Sequence, residues 1–91
     1  MTFRITRHSG FAAPADAFEL LWQRLDANLD GTRFTKVGAG IRATWGGDMP
    51  SSIERHEREE IGRRAVFDIV CDVCERAPEL KADWFAVSAL R

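Results

Sequence analysis

Apolar and polar residues alternate from Thr2 to His8, with Phe3 and Ile5 on one side and Arg4 and Thr6 on the other. A period of two marks a half-buried strand, and Ser9-Gly10 ends it. The period then changes. Phe18, Leu21, Trp22, Leu25 and Leu29 recur at helical spacing and form one apolar stripe. Pro14 suits the first turn of that helix, where its missing N–H costs nothing. Gly31 suits the left-handed residue that stops it. Two short alternating runs follow, Thr32 to Val37 and Ile41 to Trp45, around Gly38-Ala39-Gly40. Glycines there permit the positive φ that tight hairpin loops require. For any even loop length, Phe34 and Lys36 share a face with Ile41, Ala43 and Trp45. Arg33, Thr35, Arg42 and Thr44 share the other.

After a loop at Gly46-Gly47-Asp48-Met49-Pro50, Ser51 and Glu54 stand three apart, a capping-box spacing that opens a second helix. Pro78 stops it, so it can run to Arg76. Its first half is charged, with Glu54/Arg58, Glu59/Arg63 and Glu60/Arg64 at the favourable i, i+4 spacing. Its second half, from Ala65 through Val66, Ile69, Val70, Val73, Cys74 and Ala77, is apolar. The front is expected to project into solvent and the back to pack. Asp83 to Leu90 alternates again, Phe85, Val87 and Ala89 against Trp84, Ala86, Ser88 and Leu90. This reads as a closing strand covered on both sides.

Strand, helix, hairpin, helix, strand is a β-α-β-β-α-β order and resembles the ferredoxin-like fold. The resemblance implies an α+β sandwich, an antiparallel sheet with two helices on one face. Residues 1–91 are expected to form one domain, since 91 residues cannot fill a second core. The resemblance concerns the fold alone. An RNA-recognition motif would carry aromatics on the two central strands, where Arg4, Thr6, Arg42 and Thr44 stand. An acylphosphatase-like chain would carry an arginine in the loop after the first strand, which here is His8-Ser9-Gly10-Phe11. A metal-chaperone domain would carry its C-x-x-C in that loop, and here the pair is in the second helix.

Composition narrows the class. With 45% hydrophobic and 30% charged residues the chain is globular. A net charge of −1 gives no general electrostatic drive toward nucleic acid, so any basic face is local. No apolar run approaches the ~18 residues of a membrane span. The first residues lack the apolar core of a secretory leader. Two cysteines, too few for a disulfide scaffold, suit a reducing compartment. The cytoplasm is the expected location, with no membrane association.

The motifs with chemistry in them fail on inspection. Asp26, Asn28 and Asp30 before Gly31 resemble the first half of an EF-hand loop. The twelfth position, which must supply a bidentate carboxylate, is Val37. Cys71 and Cys74 have C-x-x-C spacing, yet they lie about five turns into a helix, away from the N-terminal dipole that would lower a thiol pKa. Zinc would need two further ligands, and His8 and His56 stand alone. The glycine pairs open no helix with a following Lys-Ser/Thr, so they are turn residues. No catalytic residue, metal or cofactor is expected.

One constellation remains. If the helices cover the Phe3/Ile5/Phe34/Ile41/Ala43/Trp45 side, the open face shows Arg4, Arg33 and Arg42 among threonines, with Trp84 and Ser88 joining from the last strand. Such a face can dock a protein, hold a polyanion or stack a base. The expected function is a non-enzymatic binding module, a regulator or inhibitor acting on another protein through that face and the charged second helix. One alternative is a binder of single-stranded nucleic acid or another anion on the arginine face. The other is a small dimeric α/β-barrel enzyme, with a homodimer enclosing a pocket between two sheets.

Overall fold

The computed structural model describes residues 1–25, 27–38, 40–47, 49–50 and 52–90. It is an α+β arrangement: a five-stranded open antiparallel sheet with two helices. The strands are β1 (Thr2–Arg7), β2 (Asn28–Leu29), β3 (Thr32–Val37), β4 (Gly40–Trp45) and β5 (Phe85–Ala89). The helices are α1 (Ala17–Arg24) and α2 (Arg55–Arg76). Across the sheet the order is β2-β3-β4-β1-β5, with every neighbouring pair antiparallel.

Alternation settles which side of each strand is covered. Phe3, Ile5, Phe34, Ile41, Ala43, Phe85 and Val87 are all buried, and with Ala17 and Leu21 of α1 and Val66, Ile69, Val70 and Val73 of α2 they form one apolar cluster. Arg4, Arg33, Thr35, Arg42, Thr44 and Ser88, of opposite parity, are exposed. Both helices therefore lie on one face, and the other face carries no helix among the described residues.

The first helix is shorter than its apolar stripe predicts. It ends at Arg24, and Leu25 is already extended at φ −88° and ψ 133°. Leu29, assigned by periodicity to the helix, belongs to β2 and pairs with Thr32. The residues between them, Asp30 (φ 50°) and Gly31 (φ 75°), are both left-handed. That is the signature of a two-residue hairpin turn matching the twist of its strands. Gly31 thus turns a hairpin and does not stop a helix. The edge pairing is reinforced by the Phe34 N–H, which donates to the Ala27 carbonyl at 2.8 Å. Pro14 precedes α1, its carbonyl accepting the Ala17 N–H at 3.1 Å.

Helix α2 starts at Arg55 after Glu54, which makes no side-chain cap bond; Ser51 of the expected capping box lies outside the described residues. Gly62 is where α2 meets the sheet. A Cβ built there would lie 2.6 Å from Phe3 Cζ and 3.0 Å from Trp45 Cε3. Residues 55–61 precede that contact and are exposed or half-buried. Asp83 and Trp84, expected in the last strand, form a 3-10 turn over Ala82–Trp84 ahead of β5.

Thr32 is 1% exposed and its Oγ1 has no hydrogen-bond partner among the described residues. A buried hydroxyl without a partner costs about 1–3 kcal/mol of desolvation. Thr32→Val keeps the shape and removes the group, so it should raise stability by roughly 1 kcal/mol in urea unfolding. A lower midpoint would show that the hydroxyl is satisfied in solution.

Candidate site on the open sheet face

Register converts the alternating sequence into rows across the open face. One row runs Thr35, Arg42, Arg4, Ser88 over β3, β4, β1 and β5. The next runs Arg33, Thr44, Thr2, and then Leu90, whose N–H donates to the Thr2 carbonyl at 2.9 Å. Arg4 and Arg42 are thus direct cross-strand partners at the middle of the sheet, and Arg33 is diagonal to Arg42. Like charges placed opposite one another are unfavourable. Among the described residues none of the three arginines has an ion pair or side-chain hydrogen bond. The structure therefore gathers Arg4, Arg33 and Arg42 on one open surface with their charge unanswered.

Trp84 stands at the end of the 3-10 turn that precedes β5. It is half-buried against the apolar cluster, and its carbonyl accepts the His8 N–H at 2.9 Å. Its 3-10 turn takes it out of the strand alternation from which the open-face position was inferred.

Several charged residues on the helical side are paired. Lys36 bonds Glu19, and Arg24 bonds Glu79 at 2.5 Å. On α2, Arg63 grips Glu60 with two bonds of 2.9 and 2.6 Å, and Arg64 adds a third at 3.1 Å. The Arg63 hydrogen bonds, with help from Arg64, hold the Glu60 carboxyl down at about 2. The helix thus meets the i, i+4 expectation for Glu60/Arg64, while Glu59 is met by Arg55 at 3.4 Å.

His8 is exposed, its Nδ1 accepts the Gly10 N–H at 3.1 Å, and its ring meets Phe11 edge-on. His56 is exposed on the charged end of α2. Asn28 and Asp30 of the calcium-like segment belong to the β2–β3 hairpin; Asp26 lies outside the described residues.

The cysteines are both free, Cys74 buried and Cys71 half-buried. Burial pushes the Cys74 thiol up to about 11. Cys71 is raised as well, first by burial and then by Asp68, Asp72, Glu75 and Asp83. Both shifts oppose thiolate chemistry at neutral pH. They also carry a sign for stability. A raised thiol contributes fully below the unfolded value and loses that contribution as pH rises, here between 9.0 and about 11 for Cys74. Stability should therefore decline across that window, and Cys74→Ala should flatten the decline. An unchanged slope in the variant would assign the alkaline loss to other groups.

Sequence reasoning missed Arg7, Phe18 and Gly40, which line a hollow in the surface by the end of β1 and the start of β4. The available signal was Arg7 itself, a charged residue on the core parity at the end of its strand. No protein-family model matches this chain, and no curated protein or solved structure matches it.

Proposed function

We propose that the protein is a non-enzymatic binding module that regulates or inhibits an acidic protein partner, docking it on the open sheet face and on the charged end of α2. The observation that carries this reading is the opposed pair Arg4 and Arg42, with Arg33 beside them, on a face that no helix covers among the described residues. Carboxylates of a partner would relieve that repulsion and gain charge-assisted hydrogen bonds. The exposed Glu60–Arg63–Arg64 cluster lies on the flanking helix and supplies a second polar contact.

The alternatives fit the same face less well. A single-stranded nucleic acid wants aromatic stacking platforms, and Trp84 is half-buried against the apolar cluster. Two sheets stacked face to face, as in a dimeric barrel, would bring three exposed arginines from each copy together. We read the architecture as a ferredoxin-like β-α-β-β-α-β sandwich with β2 added at one edge. The support is the run β3-β4-β1-β5, with the first strand and the second strand of the hairpin central. We place the protein in the cytoplasm, for which its two unpaired thiols speak. No described helix is long and apolar enough to cross a membrane.

The test is selection of peptides from a random displayed library on the immobilised protein, with a dT20 oligonucleotide titrated in parallel. Peptides rich in Asp and Glu should be enriched, and their binding should weaken steeply as salt rises past about 0.1 M. Enrichment without acidic bias, or tighter binding of dT20 than of any peptide, overturns the reading.

A further inference from the structure

The end of the sheet opposite Gly62 holds a built hollow. The last register pair between β1 and β4 is Ile5 with Ile41. Beyond it β1 continues along β5 as far as Arg7 with Phe85, while β4 begins at Gly40 after the left-handed Gly38. Thr6 and Gly40, one step past that last pair, both line the hollow, and Gly40 brings no side chain to fill it. A cavity of about 410 Å³ opens there, within the range of roughly 300–1,000 Å³ typical of small-molecule sites.

Its lining is divided. Phe18 and the exposed Val37 make its apolar wall, and Arg4, Arg7 and Arg42 stand around it. Phe18 is held by an edge-to-face contact with Phe85, ring centres 5.6 Å apart. A second hollow of about 340 Å³ shares Arg7, Phe18, Gly40 and Ile41 and carries the cleft on toward Asp16, Glu19 and Lys36. The charges there do not balance. Glu19 is taken by Lys36, which leaves Asp16 against three arginines. Of those, Arg7 makes one long bond of 3.4 Å to the Pro14 carbonyl. Arg4 and Arg42 make none among the described residues.

We propose that this cavity binds a small amphipathic organic acid, its carboxylate among Arg4, Arg7 and Arg42 and its hydrocarbon against Phe18 and Val37. A planar guanidinium matches a carboxylate in two parallel hydrogen bonds. An apolar wall rewards a tail that a free inorganic anion lacks, by up to roughly fourfold in affinity per buried methylene. The site shares two arginines with the docking face but goes beyond that reading, since it needs no protein partner.

The probes are octanoate, acetate and 1-octanol, followed through the backbone amide spectrum of the folded protein. Acetate supplies the head alone and octanol the tail alone. Octanoate should move the Thr6, Gly40 and Ile41 amides in a saturable way, with acetate and octanol at least tenfold weaker. Arg42→Gln should weaken octanoate about tenfold and leave octanol unchanged. Gly40→Val should block the cavity while keeping every arginine. Its Cβ would sit 3.6 Å from the Ile5 carbonyl oxygen, an ordinary contact, and the Gly40 φ is not left-handed. Octanol binding as tightly as octanoate, shifts that avoid these amides, or octanoate binding unchanged in both variants would overturn the proposal. Gly40→Val also separates it from the docking reading, because acidic peptides bound across the rows of the open face should survive that change.

Discussion

Gly62→Leu is expected to abolish the native fold, and Gly62→Ala to destabilise it by roughly 1–2 kcal/mol. The alanine result is the sharper of the two, because helix propensity alone predicts the opposite sign. Gly in a helix interior is about 0.5–1 kcal/mol worse than Ala. Here, however, the new methyl would sit 2.6 and 2.9 Å from the Phe3 ring and 3.0 Å from Trp45. Phe3 is 0% exposed on a central strand, so its ring has no free volume to enter. Either α2 lifts from the sheet or the ring leaves its rotamer, and overpacking of this kind costs about 1–3 kcal/mol. A leucine adds three more carbons at the same point. Urea unfolding of the alanine variant decides the matter, and a raised midpoint would show that α2 stands further from the sheet. Phe3→Leu combined with Gly62→Ala offers a control. The shorter side chain makes room for the methyl, so the double variant should lose less than the two single losses together.

The double charge reversal Arg4→Glu, Arg42→Glu should weaken acidic-peptide binding by at least about 100-fold, or ~3 kcal/mol. Two attractive contacts become two repulsive ones at the middle of the face. Stability should hardly change, since the opposed pair only exchanges one sign of repulsion for the other. Arg4→Ala with Arg42→Ala removes the repulsion and should leave the protein as stable or slightly more so. That combination, unchanged or improved folding with lost binding, distinguishes a docking face from a structural one. Retained peptide affinity in the reversed variant would retire the face as the docking surface and move attention to residues 54–64 on α2.

Much of the open face was legible before the fold was known. Arg4, Arg33 and Arg42 could be grouped because strand parity is covalent geometry: successive side chains leave a strand on opposite sides whatever surrounds it. The identity of the opposed pair required one more step, the placement of the first strand beside the second strand of the hairpin. The structure makes Arg4 and Arg42 direct partners. Trp84 escaped the same logic because a 3-10 turn breaks the two-residue period just before β5.

Local pattern by itself determined the strand faces, the hairpin around Gly38 and the extent of α2 to Arg76, since each depends on period, turn chemistry or Pro78 alone. The tertiary structure decided the rest. Leu29 fits a helical stripe and a strand edge equally well, and pairing with Thr32 through the left-handed Asp30-Gly31 turn chose the strand. Gly62 looks like an ordinary weak point in a helix until Phe3, 59 positions earlier by residue number, is packed against it. The cleft around Arg7, Phe18 and Gly40 draws on β1, α1 and β4. No window of sequence contains it, because its residues are neighbours only through the long-range pairing that folding creates.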